Sequence, residues 1–128
     1  MRFGIYGKDE IFTITNNLVS SEFKCGCKND LCTFTIIDSE FVRSWNLLRS
    51  LWAEPIHLNS GYRCINHNAN VGGRKKSRHC KGSAGDLSTM RMDERTLMEF
   101  ISLCSHCFDV VIPYNISEKI LFVHCHNV

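Results

Sequence analysis

The chain has 128 residues, with 15 Lys+Arg against 13 Asp+Glu, 6 His, 8 Cys and a formal net charge of +2. This length suits one domain, and 44% apolar with 22% charged side chains excludes a disordered tail. No apolar run approaches the roughly 18 residues that span a bilayer, and +2 is too small a charge to argue for nucleic acid.

Residues 1–37 read as a loop-rich N-terminal part with short β-prone runs over 11–15 and 33–37. Asp38 or Ser39 offers an N-cap for a helix. Phe41, Trp45, Leu48 and Trp52 then fall at i, i+4, i+7 and i+11, one helical stripe, and Pro55 stops its continuation. Residues 56–59 read as a strand entering the Ser60-Gly61-Tyr62-Arg63 turn. Residues 66–86, rich in Gly, Asn, Ser and basic side chains, read as mostly loop with one helical turn. A short strand is expected over 87–90. A second helix runs from about Asp93 to Cys107, with Leu97, Phe100, Ile101 and Cys104 on one face. Strands over 110–114 and 120–126 close the chain. Helices and strands alternate, but the last connections are short. The expected fold is therefore α+β: a single domain, mainly antiparallel sheet, flanked by two or three helices. Residues 38–128 would form its catalytic core.

Eight cysteines are many for this length. The first ten residues lack the apolar stretch and cleavage site of a signal peptide. The expectation is therefore synthesis in a reducing cytoplasm, with free thiols. Their spacing gives one C-x-C-x4-C (Cys25, Cys27, Cys32) and one C-x-x-C (Cys104, Cys107). Paired CxxC knuckles are missing, so no second, structural ion on the cysteines is expected, and most read as small buried apolar residues. Cys80 and Cys125, beside the histidines discussed next, read the same way.

The chemistry concentrates in His79 and Asp86, within Ser77-x-His79-x-x-Gly82-x-Ala84-x-Asp86, and in His124, within Phe122-Val123-His124. Two imidazoles and one carboxylate suit a catalytic zinc, three protein ligands leaving a fourth position open. Gly82 and Gly85 are expected to let the chain turn between His79 and Asp86. The run Arg74-Lys75-Lys76-Ser77-Arg78 with Lys81 makes a basic patch beside this set, able to attract anionic polymers.

With Asn59-Ser60-Gly61-Tyr62-Arg63 and His67-Asn68-Ala69-Asn70-Val71-Gly72-Gly73, these blocks resemble the M15 family of zinc D-Ala-D-Ala peptidases. The resemblance is to the small, single-domain type common among bacteriophage cell-wall enzymes, whose fold is shared with the hedgehog signalling domain. It covers roughly residues 20–126, and Ser21-Glu22-Phe23-Lys24-Cys25-Gly26-Cys27 is similar to the opening of such proteins. It implies one zinc on His79, Asp86 and His124, and substrate binding by Arg63 and its neighbour Tyr62, with Ser77 orienting a ligand or its loop. It implies a peptidoglycan stem peptide as substrate, cut as a D-Ala-D-Ala carboxypeptidase or endopeptidase in the manner of a phage endolysin. The enzyme would be a monomer without nucleic-acid partners, made in the cytoplasm of an infected bacterium and acting on the wall.

The general base is where the chain departs from its relatives. Many carry an acidic residue three positions before the last histidine ligand, where this chain has Leu121. Others carry a glutamate six positions before it, here Glu118, the first candidate. His126 is the second, since strand alternation puts it on the face of His124, about 6.8 Å along. It is also a rival ligand. Two other readings stand beside the enzyme: a zinc-bearing module that binds a wall peptide or a protein without cutting it, and a cysteine-based zinc module for nucleic acid.

Overall fold

The computed structural model describes residues 1–91, 93–116 and 119–128. In chain order the elements are β1 (Gly4–Gly7), β2 (Thr13–Thr15), β3 (Leu18–Val19), α1 (Ser20–Phe23), β4 (Phe34–Ile37), α2 (Ser39–Leu51), β5 (Ile56–Ser60) and α3 (Ile65–Asn70). A 3-10 turn (Arg78–Lys81), β6 (Ala84–Thr89), α4 (Glu94–Cys107), β7 (Val110–Ile116) and β8 (Lys119–His126) follow. The main sheet is antiparallel throughout, in the order β5-β6-β8-β7. β1 pairs with β4, and β2 with β3, in two small ribbons. This is the expected α+β domain with mixed helices and antiparallel sheets.

The two long helices form where capping and periodicity place them. Asp38 caps α2, its carboxylate accepting from Phe41 N–H at 3.1 Å, and Asp93 caps α4, accepting from Thr96 N–H at 3.1 Å. Phe41, Val42, Trp45 and Leu48 bury one face of α2; Leu97, Phe100 and Cys104 bury one face of α4. Trp52, the C-cap of α2, meets Phe100 edge-on with ring centroids 5.2 Å apart. Leu58, Leu87, Val123 and Cys125 join these side chains from the sheet. On β8, Val123 and Cys125 are buried in the core while His124 and His126 lie on the opposite face, as strand alternation requires.

Two expectations are corrected. Residues 66–86 hold more than one helical turn: α3 covers Ile65–Asn70 and the 3-10 turn Arg78–Lys81 precedes β6. The glycines there have different roles. Gly82, at φ +68°, ends the 3-10 turn, and a Cβ on it would collide with the Ile36 carbonyl. Gly85 lies inside β6, and a Cβ there would come within 2.7 Å of the Phe41 ring. Its role is close packing, not turning. The loop-rich N-terminal part shares this core: Ile14, Leu18, Phe23 and Ile37 belong to the same buried cluster as Phe41 and Trp45. Among the described residues, no helix is long and apolar enough to cross a membrane.

Candidate metal centre and active site

Asp86 of β6 and His124 of β8 are direct cross-strand partners, so the pairing register alone brings carboxylate and imidazole together. His79 reaches them from the 3-10 turn. Ser77 caps that turn, its hydroxyl oxygen accepting from the His79 N–H at 3.2 Å. One donor atom from each of His79, Asp86 and His124 lies within 4.8 Å of the others. His79 Nε2 is 3.1 Å, and His124 Nδ1 3.0 Å, from the same carboxylate oxygen, Asp86 Oδ1.

The hydrogen bonds around this set constrain its protons. His79 Nδ1 lies 2.7 Å from the Gly61 carbonyl, which can only accept, so Nδ1 carries hydrogen. In the neutral ring Nε2 is then a bare lone pair facing a carboxylate oxygen, and only a positive charge between them, a proton or a metal ion, makes that contact favourable. The donor chemistry thus fits zinc: two nitrogens and one oxygen converging on a point, with a carbonyl fixing the tautomer of one ring. Both groups are nearly dry, His79 at 1% and Asp86 at 6% exposure. Burial pushes the Asp86 carboxyl up, but the hydrogen bonds of His124 and His79 more than reverse this and hold it at about 2.

His126 extends the set. Its Nδ1 is 2.8 Å from His124 Nε2, so His124 is held on both ring nitrogens. Burial, and then the charge of His124, keep the His126 pKa below its ordinary value. Arg63 approaches from the other side. Its NH1 donates to Asn68 Oδ1 at 3.0 Å, its NH2 to Asp86 Oδ2 at 3.3 Å, and its Nε to Ser60 Oγ at 3.3 Å. A guanidinium has five N–H groups, so these bonds leave one on NH1 and one on NH2 for a further acceptor.

A cleft of about 800 Å³ opens over the cluster. Arg74, Lys76 and Arg78 of the basic run line it, and Tyr114 and Phe122 form an aromatic wall, stacked at 5.0 Å with an interplanar angle of 19°. The structure therefore gathers His79, Asp86, His124, His126, Arg63 and Ser77 in one cleft. It does not bring Tyr62 there: that side chain is 4% exposed and packs toward Phe34, away from the cleft lining. Glu118 lies outside the described residues. Sequence reading missed Asn68, buried and bridging Arg63 to the Arg74 carbonyl, although it sits inside the quoted His67–Gly73 block. It also missed the Tyr114–Phe122 wall, whose signal is cross-strand pairing that a single strand does not reveal.

A search of curated protein sequences found no match. Among solved structures, the crystal structure of the Serratia marcescens L-Ala D-Glu endopeptidase ChiX is similar, with a TM-score of 0.51 at 15% identity. That likeness covers 71% of this chain and 80% of the other, and it is one of fold. The family model described as Peptidase M15 matches residues 16–126, which include every residue of the cleft named above. The chain belongs to the peptidase M15 family.

Proposed function

We propose that the protein is a zinc-dependent peptidase that hydrolyses a peptide bond in peptidoglycan stem peptides, as a D-Ala-D-Ala carboxypeptidase or an endopeptidase. The observation that carries this reading is the convergence of His79, Asp86 and His124 within 4.8 Å on the floor of a basic cleft, in a chain of a peptidase family. The endopeptidase that shares the fold acts on an L-Ala D-Glu bond, which supports a wall peptide as substrate.

His79, Asp86 and His124 would hold the ion. When bound there, zinc supplies Lewis acidity toward water and the scissile carbonyl. Arg63, fixed by Ser60, Asn68 and Asp86, offers its two remaining N–H groups to the substrate oxygen on which negative charge develops. His126, which holds His124 from its far nitrogen, would act as a positioning residue, with Glu118 as the group that takes up the proton. Arg74, Lys76 and Arg78 draw in the carboxylates of a wall peptide. A protein of this kind, made in the cytoplasm of a phage-infected bacterium, would act as an endolysin on the wall.

Mass spectrometry of peptidoglycan fragments incubated with the zinc-loaded protein, beside His79→Ala, tests this. The expected result is loss of one alanine or a split stem peptide with the active protein only. No change across several wall chemistries, from a folded and zinc-loaded protein, would favour the module that binds without cutting.

A further inference from the structure

Far from the histidines in sequence, a second group of donors converges. Cys25, Cys27, Cys32 and Cys64 place one sulfur each within 4.8 Å of the others. None is disulfide-bonded; all eight cysteines are free. The Cys27 and Cys64 sulfurs are 3.8 Å apart, well beyond the roughly 2.05 Å of a disulfide. A tetrahedral ion with Zn–S bonds of about 2.3 Å has S···S edges of about 3.8 Å. We propose that these four cysteines form a structural zinc site that clamps the N-terminal loop to the loop carrying Arg63.

The surroundings are those of a thiolate site. Four thiolates around one divalent ion carry a net charge of 2−, which needs donors aimed at sulfur. The Cys64 N–H donates to Cys25 Sγ at 3.4 Å, and the His67 N–H donates to Cys64 Sγ at 3.4 Å. The Lys8 ammonium reaches Cys27 Sγ at 3.5 Å and the Cys27 carbonyl at 3.0 Å. Cys25 is buried and the other three are half-buried, so the centre of the group is screened from water. All four positions are taken by protein sulfur, which makes the site closed and structural, with no room for catalysis.

The site also explains how residues 24–33 are held. They contain no helix or strand. Three of the cysteines lie on this stretch, while the fourth, Cys64, caps α3 and follows Arg63 directly. Just upstream, the Tyr62 N–H donates to the Phe23 carbonyl at 2.8 Å. An ion here ties a segment that lacks a core of its own to the segment that presents the guanidinium to the cleft. The C-x-C-x4-C spacing was visible in sequence, but the fourth ligand lies 32 residues further on, and only the packing of α1 against β5 brings it in.

Cobalt substitution tests the proposal independently of peptidase activity. His79→Ala protein, purified under reducing conditions and loaded with cobalt(II), is expected to bind one ion per chain and to show intense thiolate-to-cobalt charge transfer in the near ultraviolet. Cys27→Ser with Cys64→Ser in the same background abolishes that band. The wild type shows the band too, with a second ion that gives none, so the result does not depend on one variant folding. Metal analysis of the zinc-grown protein gives two zinc ions for the wild type and one for His79→Ala. Absence of the band from reduced wild-type protein overturns the site, as does iron in place of zinc. So does a mass showing pairs of hydrogens lost to disulfides in protein kept reduced. Wild-type protein that shows the band but binds no second ion would overturn the proposed peptidase mechanism and leave this site standing.

Discussion

Arg63 is fixed more tightly than its charge alone would require. Its three nitrogens meet three different acceptors, and one of them is the carboxylate of the candidate metal centre. A lysine cannot reproduce this fork. Arg63→Lys is expected to lower kcat/KM on a stem peptide by roughly 100-fold, the scale for removing a preorganised donor; an unchanged value would take Arg63 out of the reaction. Asp86 gives a second test. Its pKa of about 2 lies below the 3.8 of a free carboxyl, so its contribution to stability is complete above about pH 4 and is lost as the pH falls through about 2. Urea unfolding of metal-free protein should show the wild type losing roughly 2 kcal/mol more than Asp86→Asn across that window. Parallel curves would mean that the carboxylate is not held by the imidazoles. At this scale the sequence was most informative where chemistry is carried by residue type: His79, Asp86, His124, Arg63 and Ser77 all reach the cleft. It was least so for Tyr62, since adjacency to Arg63 says nothing about which side of the turn faces the core.

The long elements were legible and the short ones were not, for one physical reason. α2 and α4 each have an aspartate cap and an apolar stripe, signals contained within the element. α1 and α3 have four and six residues, too few to show a period. α3 is capped by a cysteine, an unusual cap, the Cys64 sulfur accepting from the His67 N–H at 3.4 Å. The link between His79 and Asp86 likewise depends on contacts outside itself: the Gly82 carbonyl accepts from the Asp38 N–H at 3.1 Å, and its Cα faces the end of β4. Gly82→Ala combines a left-handed φ with a backbone collision. It should cost at least about 2 kcal/mol in denaturant unfolding, whereas a neutral effect would show that the turn can open without harm.

For the whole molecule, the division at residue 37 is one of secondary structure and not of packing. Phe23 is fully buried and its ring centroid lies 5.3 Å from that of Phe41, so the first 37 residues contribute to the same core as the long helices and the main sheet. Phe23→Ala should destabilise the protein by roughly 3–5 kcal/mol, close to the total stability of many domains, and a thermal midpoint within a degree of wild type would contradict this. The fold class followed from alternation of element types and short final connections, both readable from the chain. The meeting of the N-terminal loop with Cys64 was not readable, because it is a contact across many residues made by α1 against β5.

The central claim is that cutting requires zinc on His79, Asp86 and His124. The most direct measurement strips the protein of metal, returns zinc stepwise, and follows stem-peptide cleavage by mass spectrometry in the wild type beside Asp86→Asn. Cleavage should be absent without zinc, return with it in the wild type, and stay absent in the variant. Cleavage by the stripped protein, or by Asp86→Asn at the wild-type rate, would contradict the account.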